Sequence, residues 1–224
     1  MKVLILVLLS AMLSASFASK SPEDFPFDFK DVDYVTELVV NGYEIILNEL
    51  KSFKLNMVKQ QVTSFSGEIP AYDVLYNFTG GKMYQYFNLT GDCKAYDIPR
   101  MNLTDFYKSL INSTEFVGKR GENLYLYEQK FPNLEGSRQW LYGFFMSGEE
   151  SDEKFFVPSR IQQHFPSISQ DLHGRFMDMP AFPNVTYFDF YYPACLNATS
   201  EPMNMPFNYG MFSGLEQAMA YTSF

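Results

Sequence analysis

The sequence predicts a mainly β protein: a curved antiparallel sheet carrying one or two short helices. Three observations predict it. Runs rich in branched and aromatic residues are separated by hairpin-type dipeptides such as Asn41-Gly42 and Gly80-Gly81. Residues 104–112 depart from strand periodicity and adopt helical spacing. With 23 Phe and 16 Tyr, several strands are aromatic on both sides, which is more apolar surface than a one-layer antiparallel sheet needs. Such an excess is expected when a curved sheet encloses a cavity for an apolar ligand, or when copies of a chain associate.

The chain opens like a secretory leader. Lys2 supplies a charge, Val3 to Leu9 a short apolar run, and Ser16-Phe17-Ala18 a small-residue cleavage site. Residues 1–18 are read as a signal peptide, 19–200 as a single β domain and 201–224 as a tail of little order. No later run approaches the roughly 20 apolar residues of a membrane span, so the expected location is extracellular or in the lumen of the secretory and endolysosomal pathway.

Residues 19–30 mix Pro, acids and Phe and read as an irregular lead-in. Residues 34–50 leave two readings open, a hairpin turning on Asn41-Gly42 or a helix with Gly42 in its middle; strands are preferred because that glycine costs a helix about 1 kcal/mol. Phe53, Leu55 and Met57 alternate with polar residues as a further strand. The most informative stretch is 72–93. A two-residue turn at Gly80-Gly81 pairs Phe78 with Met83, Tyr76 with Gln85, Val74 with Phe87 and Tyr72 with Leu89. One face then carries Tyr72, Val74, Tyr76, Phe78, Met83, Phe87 and Leu89, and the other carries Asp73, Leu75, Asn77, Tyr84, Tyr86 and Asn88. Continued through Gly91, the same strand puts Cys93 on the first, buried face.

Thr104–Asn112 reads as an amphipathic helix capped by Thr104 or Asn102. Lys119-Arg120, between glycines, reads as a turn. Strands resume at Leu124–Gln129, Arg138–Met146 and Lys154–His164, the last two joined by the acidic loop Ser147–Glu153. Residues 166–183 read as an irregular connection broken by Pro and Gly, and Asn184–Tyr192 as a last strand with aromatic residues on both sides.

Six Asn-x-Ser/Thr acceptors, Asn77, Asn88, Asn102, Asn112, Asn184 and Asn197, behind a leader point to a glycoprotein. Cys93 and Cys195 are the only cysteines, and in an oxidising compartment they are read as a disulfide. The formal charge of −9 becomes −10 when Lys2 leaves with the leader, which excludes nucleic acid and anionic membrane surfaces as natural partners. No Gly-x-Ser-x-Gly exists, since Gly210, Ser213 and Gly214 are wrongly spaced, and neither His164 nor His173 stands beside a nucleophile. Zinc patterns are absent and the acidic loop lacks the order of an EF-hand. The expectation is a protein that is not an enzyme, with no cofactor and no metal site, leaving only weak calcium binding open at that loop.

The order of motifs (YDVLYNFTGGKMYQYFNLTGDCK, then Ile98-Pro99, Trp140, FFVPSRI and a closing FDFYYPAC) resembles ependymin-related proteins and the wider group built on the half-barrel of the bacterial lipoprotein carrier LolA. The resemblance spans roughly Tyr34 to Cys195 and lacks the further cysteines usual in ependymins. It implies a secreted, often dimeric glycoprotein whose half-barrel encloses a hydrophobic pocket, with calcium binding in some members. The expected function is therefore binding of a lipid or other hydrophobic small molecule, with a homodimer as a further expectation. The expected lining is Tyr72, Val74, Tyr76, Phe78, Met83, Phe87 and Leu89, joined by Trp140, Phe144 and Phe156. The alternative is a structural or adhesive extracellular glycoprotein that self-associates through the aromatic excess.

Overall fold

The structure, a computed structural model, describes residues 31–40, 43–64, 71–130, 136–147, 154–165, 170–177 and 183–201. In chain order the strands are β1 (Val32–Val40), β2 (Tyr43–Ser52), β3 (Met57–Ser64), β4 (Tyr72–Asn77), β5 (Lys82–Phe87) and β6 (Cys93–Asp97). After the helix α1 (Leu103–Asn112) come β7 (Thr114–Arg120), β8 (Leu124–Lys130), β9 (Arg138–Ser147), β10 (Lys154–Phe165), β11 (Gln170–Phe176) and β12 (Ser200–Glu201). All twelve lie in one open, curled sheet, ordered β12-β6-β5-β4-β3-β2-β1-β11-β10-β9-β8-β7. The expected mainly β, antiparallel class is the one found; among the described strands only β12 pairs in parallel, with β6. The stretches read as leader and lead-in (1–30), Asn41-Gly42 turn (41–42), acidic loop (148–153) and tail (beyond 201) lie outside the described residues.

The connection between β6 and β7 accounts for the curl. These strands lie ten spacings apart in the sheet order, roughly 48 Å if the sheet were flat at about 4.8 Å per strand. The link between them is residues 98–102, a ten-residue helix and Ser113. Fully stretched around an unbroken helix it reaches about 42 Å. A flat sheet is therefore out of reach. The sheet must bend until its ends approach, and α1 must lie across the hollow. Tyr107 of α1 is fully buried, and its hydroxyl receives a hydrogen bond from Lys51 of β2, in the middle of the sheet, at 2.6 Å. The face that meets α1 is the inner face.

The strand reading of residues 34–50 holds, because β1 and β2 pair along nine positions while β2 pairs β3 and β1 pairs β11 on their free edges. Phe53–Asn56 is not a strand but the turn between β2 and β3, made possible by Asn56 at φ 57°. Asn56 then ties three elements together. Its carbonyl accepts from the Phe78 N–H, its Nδ2 donates to the Met101 carbonyl at 2.8 Å, and its Oδ1 accepts the Leu103 N–H at 2.7 Å. Asn56→Ala loses these two side-chain bonds and a third, from Nδ2 to the Thr79 hydroxyl at 3.2 Å, and keeps a left-handed backbone, so chemical denaturation is expected to show a loss of about 2–4 kcal/mol. Asn56→Gly relieves the backbone and should cost distinctly less.

The 72–93 hairpin keeps its predicted faces but not its predicted partners. Asn77 Oδ1 accepts the Gly80 N–H at 2.8 Å and Gly81 takes φ 65°, which makes a four-residue turn, Phe78–Gly81, instead of a two-residue one. Tyr76 therefore faces Met83, Val74 faces Gln85 and Tyr72 faces Phe87. The slip is by two residues, so no side chain changes face. At the far end β5 stops at Phe87, whose N–H and carbonyl bind Asp92 and Gly91 across a turn. Leu89 sits on that turn and is 84% exposed. Since β6 starts anew at Cys93, opposite Tyr86, the cysteine lies on the outer face, against the parity expected of a continuous strand.

The helix matches its expected span, with Asn102 Oδ1 accepting the Asp105 N–H as its cap. No helix among the described residues is long and apolar enough to cross a membrane. Lys119 and Arg120 end β7 rather than forming a turn, which comes at Gly121 (φ 68°). Within 166–183, read as irregular, Gln170–Phe176 is a central strand. Gly174 is needed there: a Cβ would stand 2.6 Å from Leu38 and 2.9 Å from Ile161.

Asn184–Tyr192 is not a strand. Two short 3-10 turns, Tyr187–Phe190 and Pro193–Cys195, fold this segment over the outer face of β3–β6. Thr186 and Asp189 close the first turn with reciprocal hydrogen bonds. Val185 and Phe190 bury against Met57 and Leu75, Tyr192 stacks on Tyr86 and donates its hydroxyl to Asp73, and Cys195 is bonded to Cys93. Hence Asp73, placed by parity on a solvent face, is buried. The aromatic residues on the two sides of β4 and β5 have different surroundings, the concave face on one side and this segment on the other.

Candidate functional site

The inner face is the candidate site, and register defines its members. Across β2–β5 one row runs Glu49, Gln60, Val74, Gln85; the next on one side runs Lys51, Val58, Tyr76, Met83, and on the other Leu47, Val62, Tyr72, Phe87. Across β10–β7 the rows are Ile161, Leu141, Tyr127, Phe116 and Gln163, Gln139, Gln129, Thr114. Of the expected lining residues, the structure brings together Tyr72, Val74, Tyr76, Met83 and Phe87 on this face, with Phe78 buried at the hairpin end and stacked on Tyr76.

The remaining four are corrected or lie outside the description. Leu89 is on an exposed turn. Trp140 and Phe144 alternate with Gln139, Leu141 and Gly143, so both are on the outer face of β9. Aromaticity misplaced them because in β9 it is a glutamine, not the tryptophan, that faces inward. Phe156 pairs in register with Phe145, and its side chain lies outside the described residues.

What sequence reasoning missed is how polar this face is. Glu49, Lys51, Gln60, Gln129, Gln139 and Gln163 are all fully buried. Two networks satisfy most of them. In the first, Lys51 pairs with Glu49 at 2.9 Å and donates to Tyr107, while Gln60 Nε2 donates to Glu49 at 2.6 Å. Burial alone drives the Lys51 pKa down, but the Glu49 carboxylate and the Tyr107 hydroxyl outweigh it and leave it raised. In the second, Gln163 donates to Gln139, Gln139 to Gln129, and Gln129 to Thr114, each at 2.7 Å. The amides thus point the same way across four strands, and each bond polarises the next. The available signal was parity: Gln85 alternates with Met83 and Phe87, so it shares their face.

Among the described residues no group of three or more His, Cys, Asp or Glu is arranged to hold a metal. Of the sequons, Asn88, Asn102, Asn112, Asn184 and Asn197 are exposed, and Asn77 is half-buried with its Oδ1 engaged in the hairpin turn.

No family model matches the chain, and no curated protein matches it. Among solved structures it is similar to an uncharacterized conserved protein from Thermus thermophilus, with a TM-score of 0.49 and 9% identity over 78% of this chain and 91% of that one. It is also similar to a putative outer membrane lipoprotein-sorting protein domain from Vibrio parahaemolyticus, with a TM-score of 0.36 and 12% identity over 73% of this chain and 90% of that one. Neither similarity assigns the chain to a family.

Proposed function

We propose that the chain is a secreted glycoprotein of the ependymin-related kind that binds a hydrophobic small molecule or lipid against the inner face of its sheet, without catalysing a reaction. The observation that carries this reading is the mismatch between a curled sheet of twelve strands and the one ten-residue helix that the described residues lay in its hollow. Aliphatic and aromatic side chains such as Val74, Tyr76 and Met83 give that hollow an apolar floor, and a buried acyl methylene is worth about 0.8 kcal/mol there. Native mass spectrometry of the secreted, deglycosylated protein tests it. The expected result is a bound mass of lipid size that organic extraction removes and added lipid restores. Protein that carries no such mass and takes none up at micromolar lipid would reject the proposal. Tryptophan emission is a poor reporter here, because Trp140 faces outward.

One observation favours self-association as a second reading. Phe188, Leu196 and Tyr187 are 82%, 66% and 56% exposed on the segment that covers the outer face, and exposed apolar side chains are what a contact between copies would cover. The exposed sequons Asn184 and Asn197 bracket it, and glycans there would hold a second copy away. The same mass spectra decide this: a dimer that forms only after deglycosylation would be blocked in the secreted protein.

A further inference from the structure

Several polar atoms on the inner face are buried without a hydrogen-bond partner: Thr36 Oγ1, Gln60 Oε1, the Tyr72 hydroxyl, both amide atoms of Gln85, and Gln163 Oε1. Three of these residues are neighbours. Gln60 and Gln85 flank Val74 in one row, and Tyr72 stands two residues along β4 from Val74, diagonal to both glutamines. Diagonal neighbours on a sheet are about 7–8 Å apart, within reach of one small group. All three residues are at most 2% exposed. An unpaired buried amide or hydroxyl loses its water without compensation, so three at one spot disfavour the fold unless something answers them.

Their chemistry defines what answers. Gln85 offers both a donor and an acceptor, Tyr72 a hydroxyl that does either, and Gln60 an acceptor, its Nε2 being spent on Glu49. Burial pushes the Tyr72 phenol up, so it stays neutral. Charge lies beside the cluster, not among its three members. Glu49 and Lys51 are paired at 2.9 Å, and Lys94, opposite Gln85 on β6, is exposed with its ammonium over the Phe87 ring, 5.9 Å from its centre.

We propose that the inner face holds an amphiphile by an uncharged polar head that both donates and accepts hydrogen bonds, a carboxamide or hydroxyl, bound by Gln60, Tyr72 and Gln85 around Val74. This rests on the binding function above and narrows it from lipids in general to neutral-headed amphiphiles.

The test uses the full secreted chain, extracted to remove lipid, and three probes with one hydrocarbon chain: oleamide, methyl oleate and oleate, each titrated calorimetrically. Oleamide is expected to bind at least about tenfold more tightly than the other two, the scale of one or two neutral hydrogen bonds. Gln85→Leu should bring oleamide down to the methyl oleate level and leave methyl oleate itself within about threefold. If that variant does not fold, Tyr72→Phe reads the same selectivity. Equal affinity for all three probes would overturn the head-group assignment while leaving the binding function standing. So would a preference for oleate that Lys94→Gln abolishes, or a Gln85→Leu protein of higher Tm and unchanged selectivity. Failure of every probe to bind would remove both proposals.

Discussion

Lys51→Met is expected to destabilise the protein by about 3–5 kcal/mol, as removal of one partner of a buried ion pair does. Glu49 and Lys51 are two residues apart on one strand, both fully buried, at 2.9 Å. Taking away the ammonium removes the ion-pair partner 2.9 Å from a buried carboxylate, and strips the Tyr107 hydroxyl of a 2.6 Å bond that docks α1. The double change Glu49→Met with Lys51→Met is the informative control. With both charges of the pair gone, it should recover most of the loss, since apolar replacements of buried pairs are often neutral or better. The pH dependence has a definite sign. The Lys51 pKa is raised in the fold, so the pair's contribution is complete below the ordinary lysine range and is lost only as pH climbs past the raised value. Equilibrium denaturation of the two variants reads all of this. A Lys51→Met protein within about 1 kcal/mol of the parent would mean that the interior is wetter than its burial implies.

Removing the disulfide has the other large effect. Cys93 and Cys195 are 102 residues apart, and opening a loop of that length costs about 4–5 kcal/mol on the chain-entropy model. Cys93→Ala with Cys195→Ala should lose most of that in denaturation. The damage should be greatest at 183–196, which is then held on the outer face by the packing of Val185 and Phe190, by Tyr192 on Tyr86 and Asp73, and by Lys59. Hydrogen exchange localises it: amides of that segment are expected to lose protection before those of β2 and β3. Uniform loss of protection would show instead that the segment and the sheet unfold as one unit.

The sequence by itself determined whatever is local or has only one solution. Strand pairs joined by short turns are legible because a turn and a two-residue period suffice, and the faces of β4 and β5 survived a wrong turn length because the error was even. The α1 span was legible from helical spacing and the Asn102 cap, and the disulfide from there being only two cysteines. Tertiary structure decided the rest. Which face of β9 turns inward depends on β9's pairing with β8 and β10 and, through β10 and β11, with β1, a contact between the two halves of the chain that no local pattern encodes; Trp140 and Phe144 were misplaced for that reason. Gln170–Phe176 looks irregular until it fills the gap between β1 and β10, where Gly174 has no room for a side chain. The polar interior was the least visible. Hydropathy puts Glu49, Lys51 and the glutamines outside, because a lone polar group costs free energy to bury. They go inside because neighbouring strands bring their partners into register, Gln129, Gln139 and Gln163 across three strands, and only the assembled sheet supplies those partners.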